Sequence, residues 1–274
     1  MRRMKRNRLR INGLLFTKVL MTVVLAAISL SPAAAQKGAF KTKALQAILI
    51  DGQSGSILFS HNPDERRPPA SMSKLMTLVM IFNALKAKKL KLDEPIVVSE
   101  NAWRTGGAPS RTSSMFVPIN KSATVEQMIR GLVIQSGNDA AIAVAEHMAG
   151  SEAAFAVQME KEARRLGLNA TFGNASGLPH PRQLMSARDL AILARHLIYG
   201  MPEYYPYFAE REFKYRRFRF ISRNRLLFMK LGVDGLKTGA TKAAGYGVVA
   251  SAVRNGRRLI MVPVSYTHLR AHET

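Results

Sequence analysis

The chain has 274 residues, with 41 lysines and arginines against 18 acids, a net charge of +23 and 47% hydrophobic residues. That length holds one large or two small domains with a sizeable core, and the composition excludes a disordered chain. There is no cysteine, which excludes a disulfide framework and thiol catalysis.

The first 35 residues stand apart. Arg2, Arg3, Lys5, Arg6, Arg8 and Arg10 form a basic head, an apolar stretch runs from Val19 to Leu30, and Ala33, Ala34 and Ala35 supply small residues. This pattern reads as a secretory signal peptide over 1–35, cleaved after Ala35. The apolar run is short for a membrane span. Seven Lys/Arg and no acid precede Ala35, so the exported chain keeps about +16 of the +23. A basic exported protein meets anionic surfaces. Peripheral contact with an anionic inner membrane is therefore expected, in the periplasm or at the outer face of the cytoplasmic membrane, and export argues against a nucleic-acid partner.

Ala44–Ile50 reads as a strand, residues 51–55 (Asp-Gly-Gln-Ser-Gly) as turn chemistry, and Ser56–Ser60 as a returning strand. Two prolines, Pro68 and Pro69, then end the segment before them. Ser71 falls where a helix cap or first turn belongs. From Leu75 to Leu85 the chain is apolar on nearly all faces, the mark of a helix buried inside a domain. Lys86–Lys91 is a basic, solvated helix end, and Gly106–Ser114 is a loop rich in Gly, Ser and Pro. Helices come next at about 125–134, 140–148 and 152–166. Ser186-Ala-Arg-Asp189 resembles a capping box opening a further helix with Leu190, Leu193, Ala194, Leu197 and Ile198 on one face. After the alternating basic and aromatic residues of 213–220 come three strands, at 232–239, 245–253 and 258–264, the last two joined by Asn255-Gly256. Strands at both ends and helices between predict an α/β (α+β) domain. Its antiparallel sheet is flanked by helices and carries an inserted helical lobe. The active site is expected at the seam between the two.

Three short elements carry chemistry. Ser71 and Lys74 are three apart and share a helix face. A serine hydroxyl needs a base to become a nucleophile, and a lysine deprived of water by an apolar helix has its pKa lowered enough to act as one. A Ser-x-x-Lys match arises about once by chance in a chain this long, so its partners decide. The second element is Ser136-Gly-Asn138, at a junction between two helices. Its hydroxyl can pass a proton to a leaving amine and its amide can hold a substrate carbonyl. Ser99-Glu-Asn101 and Ser222-Arg-Asn224 match the same spacing without that setting. The third is Lys237-Thr238-Gly239, which offers charge and a hydroxyl to an anionic substrate, with a glycine that lets a substrate backbone approach.

In this order, 65 and 101 residues apart in an exported chain, the three elements are the signature of penicillin-binding proteins. The chain resembles the low-molecular-mass penicillin-binding D-alanyl-D-alanine carboxypeptidases, of peptidase family S11, over about residues 42–264. The longer blocks Pro-Ala-Ser-Met-Ser-Lys-Leu-Met-Thr77, Ser-Gly-Asn-Asp-Ala-Ala141, Ala-Arg-Asp-Leu-Ala191 and Val-Asp-Gly-Leu-Lys-Thr-Gly239 carry the likeness.

The resemblance implies a β-lactamase/transpeptidase-like fold and no cofactor. It implies that Ser71 attacks the carbonyl between the last two D-alanines of a peptidoglycan stem peptide, with Lys74 as general base and Ser136 as proton relay. Asn138 would orient the peptide, and Lys237, Thr238 and Arg223 would hold the carboxylate region. Gly239 would admit the substrate backbone, and the N–H groups of Ser71 and Ala240 would form the oxyanion hole. β-Lactams would acylate the same serine. A D,D-endopeptidase, or a non-catalytic wall-binding protein, is the alternative. Many relatives carry His where this chain has Ala240, so changed rate or selectivity is expected there. Relatives also continue past the last strand with a helix that covers the sheet. Here Ser265–Thr274 fits no such continuation, so 265–274 is expected to be a non-native tail behind a catalytic domain of 36–264.

Overall fold

The computed structural model describes residues 41–266 with the exception of Ala243. The signal peptide expected over 1–35 and residues 267–274 lie outside the described residues.

The chain opens with a hairpin, β1 (Ala44–Asp51) and β2 (Ile57–His61). Its turn is held by Asp51, whose Oδ1 accepts from the N–H groups of Gln53 and Ser54 at 3.1 and 2.9 Å. A 3-10 turn (Ala70–Ser73) leads into helix α1 (Lys74–Lys86). Leu75, Met76, Leu78, Val79, Ile81 and Phe82 are fully buried. With Lys74 and Thr77 they bury most of the helix surface up to Phe82, as the apolar run predicts, and each contributes about 1.5–3 kcal/mol of burial.

The helical lobe comprises α2 (Glu100–Gly106), α3 (Val125–Arg130), α4 (Asn138–Ala149) and α5 (Glu152–Arg165), with a small ribbon of β3 (Pro95–Val97) and β4 (Ser122–Thr124). Ala140 to Ala145 of α4 are all buried; the small side chains of Ala140, Ala141, Ala143 and Ala145 let neighbouring elements approach closely. Helix α6 (Ala187–Tyr199) opens with the capping box the sequence announces, Ser186 and Asp189 bonding reciprocally, and packs against β1 and the last strand.

A second hairpin, β5 (Glu212–Tyr215) and β6 (Phe218–Ile221), precedes the three closing strands β7 (Val233–Thr241), β8 (Gly245–Arg254) and β9 (Arg257–Tyr266). Asn255 and Gly256 take positive φ, 49° and 75°, in the turn before β9, the backbone a tight hairpin needs. The main sheet is antiparallel in the order β2-β1-β9-β8-β7, so both ends of the described chain meet in one sheet. β9 runs two residues past the expected end at Val264: Tyr266 pairs with Ala44, and Ser265 Oγ donates to Ala244 O at 2.9 Å. Among the described residues no helix is long and apolar enough to cross a membrane.

Candidate active site

Pro68 and Pro69 stop the chain and Ala70 takes a left-handed φ of 49°, turning it sharply into the 3-10 turn that presents Ser71. Ser73, the residue before α1, spends its hydroxyl on Ala70 O at 3.0 Å, which tightens the turn. Lys74 is the first residue of α1 and is 0% exposed. Its Nζ lies 3.1 Å from Ser71 Oγ and donates to Asn138 Oδ1 at 2.7 Å and to Ser176 O. One turn on, Thr77 Oγ1 donates to Ala175 O at 2.7 Å, so two successive rungs of α1 fasten segment 175–176 against the helix.

Burial pushes Lys74 well below the ordinary lysine range, and the positive charge of Lys237 pushes it further; Asp139 and Glu152 oppose the shift more weakly. The deprotonated amine has two N–H donors and one lone pair. Two carbonyl oxygens take the donors, which leaves the lone pair for the Ser71 hydroxyl proton. That is the arrangement a general base needs.

Ser136 closes a π-helical turn (Gly131–Gln135) in a left-handed conformation, φ 62°. Such turns widen the backbone and re-aim the residues just beyond them. Ser136 is 2% exposed, and its Oγ has no hydrogen-bond partner among the described residues. A buried hydroxyl without a partner costs about 1–3 kcal/mol, which the fold tolerates here at the mouth of α4. Asn138, the first residue of α4, is locked by its own N–H to Ser113 O at 2.7 Å. Asp139 beside it accepts from Ser114 Oγ and Met115 N, both at 2.8 Å, and from Val117 N. Loop 112–117 is thereby held against α4.

On the opposite wall, Lys237 of β7 is 1% exposed; its Nζ donates to Thr238 O at 3.0 Å. Burial, then the nearby Arg223 charge, lowers its pKa to about 7. Arg223 is tied to the turn that precedes Ser136, through its N–H to Ile134 O at 3.2 Å and its Nε to Gln135 O at 2.9 Å. Arg223 and Thr238 line one cavity of about 350 Å³ with Asn224, Leu226 and Tyr246. Gly239 has a packing role besides the one expected of it. A Cβ there would lie 2.9 Å from Pro69 O and 3.1 Å from Met72 N. Its missing side chain lets β7 pack against the turn that carries Ser71. That packing sets the strand backbone at Gly239–Ala240 alongside Ser71.

The structure thus gathers Ser71, Lys74 and Asn138 by direct contacts, with Lys237 and Arg223 close enough to act on the lysine electrostatically. A family model described as D-alanyl-D-alanine carboxypeptidase, that of the S11 peptidases, matches residues 31–266. The chain belongs to peptidase family S11. Among S11 relatives, it is 45% identical over 218 residues to D-alanyl-D-alanine carboxypeptidase DacC of Escherichia coli, covering 78% of this chain and 54% of the relative. It is 39% identical over 229 residues to DacA of Haemophilus influenzae, covering 82% and 58%. The chain spans about half the length of the curated relatives it matches. The crystal structure of penicillin binding protein 5 from Haemophilus influenzae superposes with a TM-score of 0.80 at 38% identity, covering 84% of this chain and 67% of that one. The penicillin-binding, transpeptidase-like fold of the S11 family is therefore present here.

Sequence reasoning misses two participants in this S11 site. Ser176 contributes only its carbonyl, and Thr112 contributes a hydroxyl to Asn138 Nδ2 at 2.9 Å. The one signal for the first is Gly177, with φ 78°, where a Cβ would lie 2.2 Å from Ala70 O. Only glycine lets this segment lie so close to the Ser71 turn.

Proposed function

We propose that the chain is a serine D-alanyl-D-alanine carboxypeptidase that removes the terminal D-alanine from peptidoglycan stem pentapeptides and is acylated by β-lactams. The observation that carries this reading is the buried amine of Lys74, bonded to the carbonyl oxygens of Asn138 and Ser176 and 3.1 Å from Ser71 Oγ.

Ser71 Oγ attacks the carbonyl between the two D-alanines while Lys74 Nζ takes its proton. The oxyanion is held by the N–H groups of Ser71 and Ala240. Asn138 orients the peptide, and Thr238, Lys237 and Arg223 receive the terminal carboxylate. The unpaired Ser136 hydroxyl relays the proton to the departing D-alanine nitrogen as the C–N bond breaks. Water then adds to the ester carbonyl, and the released Ser71 oxygen recovers a proton. Retaining the partly charged Lys237 near a carboxylate is favourable because substrate binding draws its proton back on. The protein acts after export, in the periplasm or at the outer face of the cytoplasmic membrane, where its positive charge favours peripheral contact with anionic lipid.

The test is covalent labelling. The purified chain is expected to retain a fluorescent penicillin through denaturing electrophoresis, and Ser71→Ala to lose the label completely. Labelling that persists in Ser71→Ala removes Ser71 as nucleophile. Incubation with a stem pentapeptide should release D-alanine; cleavage of cross-linked dimers without such release would make the chain a D,D-endopeptidase instead.

A further inference from the structure

We infer that Thr112 is a positioning residue of the acylation step: through a one-way chain of hydroxyls it keeps the Asn138 amide from turning its NH2 group onto the lone pair of Lys74. This rests on the proposed reading of Lys74 as the base.

The direction of the chain is set by counting protons. Ser110 Oγ donates its one hydrogen to Gly107 O at 2.7 Å. At the 2.7 Å contact between Ser110 Oγ and Thr112 Oγ1, Ser110 must therefore accept and Thr112 must donate. Ser110 Oγ also accepts from Thr112 N at 3.2 Å, which seats it in that role. With its hydrogen committed, Thr112 Oγ1 has only lone pairs to offer Asn138, and the 2.9 Å contact is an N–H donated by Asn138 Nδ2. Asn138 Oδ1 is thus the atom left for Lys74 Nζ at 2.7 Å.

The reversed amide is the state to be avoided, because side-chain amides turn to suit whatever network surrounds them. Reversed, Nδ2 would donate to the deprotonated amine and occupy the lone pair that must take the Ser71 proton. Oδ1 would then face Thr112, which has no hydrogen left to give. The relay therefore makes the inhibited orientation cost either an unpaired Oδ1 or the hydrogen bond from Thr112 to Ser110. Thr112 itself is exposed, but its loop is pinned beside it by Asn138 N to Ser113 O and by Asp139 to Ser114 and Met115. Its substitution therefore leaves the fold in place.

The experiment is the rate of acylation by a fluorescent penicillin as a function of pH, for the whole chain and for Thr112→Val and Thr112→Ser. The charged groups that act on Lys74 are Lys237, Asp139, Glu152 and Arg223, and none is altered. Thr112→Val is expected to lower the plateau rate about tenfold, the effect of one lost buried partner, and to move the acid limb to lower pH. The shift is downward because an NH2 facing the amine stabilises its neutral form. A loosened, wetter site would move the limb upward instead, since water restores the charged form, so an upward shift overturns the inference. Thr112→Ser keeps the hydroxyl and is expected to restore both plateau and limb; failure to do so also overturns it. A labelled wild type with Thr112→Val indistinguishable from it overturns this inference alone. A wild type that takes no label overturns the proposed function and this inference with it.

Discussion

The cations of this protein live in two worlds. At the surface, Arg104, Arg165 and Arg257 each sit beside a carboxylate, 2.7 Å from Glu100, 2.6 Å from Glu162 and 2.9 Å from Asp51. Asp51 is held down to about 2, first by the Ser54 N–H and then by Arg257. In the site, Lys74 and Lys237 are buried and bonded to oxygens that carry no charge, the carbonyls of Asn138, Ser176 and Thr238. A neutral carbonyl orients an amine without holding its proton. Burial therefore wins, and both lysines fall out of the ordinary range. The site withholds a bonded counter-ion from both lysines, whereas the surface pairs keep theirs and contribute little to stability.

Removing the amine is the most severe way to break that contrast. Lys74→Met should reduce penicillin acylation by about 10²–10⁴-fold, the usual loss of a general base, while the thermal midpoint moves little, because relief from desolvating the amine offsets the hydrogen bonds that Asn138 and Ser176 lose. Near-normal labelling in this variant would mean that another group takes the Ser71 proton.

Lys237 sharpens the contrast through pH. The folded chain sheds that proton near pH 7, while the unfolded lysine keeps it to about 10.5. Between those values the unfolded state binds more protons, so stability rises with pH, by on the order of 5 kcal/mol for a shift of this size. Lys74 adds to the same slope. Urea midpoints should climb from about pH 7 to 10 in the wild type and climb less in Lys237→Met. A flat wild-type profile would show that neither lysine is desolvated in solution.

Asp139 is the buried charge that keeps its partners. Asp139→Ala strips the acceptor from Ser114, Met115 and Val117 together, and a loss of about 2–4 kcal/mol is expected by urea unfolding. At the small end, Glu212→Ala breaks the exposed pair with Arg219 and should change stability by less than about 1 kcal/mol with acylation untouched.

Legibility in the sequence divides along a physical line. Helix α1 is legible because burial on most of its surface leaves a nearly continuous apolar run. The closing strands are legible because Asn255-Gly256 permits little but a tight hairpin. Ser71, Lys74 and Asn138 are legible because their chemistry resides in side chains at fixed spacings. Helix α2 is not: Ser99-Glu-Asn101 matches the Ser-x-Asn spacing, yet its serine caps the helix by accepting from Ala102 N at 2.9 Å. The Ser176 carbonyl is illegible for a deeper reason, since a main-chain oxygen is the same in every residue. The packing of Gly239 against Pro69 and Met72 is illegible too, because a missing side chain does not say which neighbour needs the room.

The pairing of β1 with β9 has a consequence for how this molecule comes into being. These strands come from opposite ends of the described chain, yet they lie edge to edge in the middle of the sheet, with Ala44 opposite Tyr266. Closing so long a loop is entropically costly and slow. β7, which walls the Ser71 turn, reaches the sheet only through β8 and β9. The candidate cleft is therefore assembled late, and amide protection in β1 during refolding should appear together with that in β9 and with the first capacity to take a penicillin label.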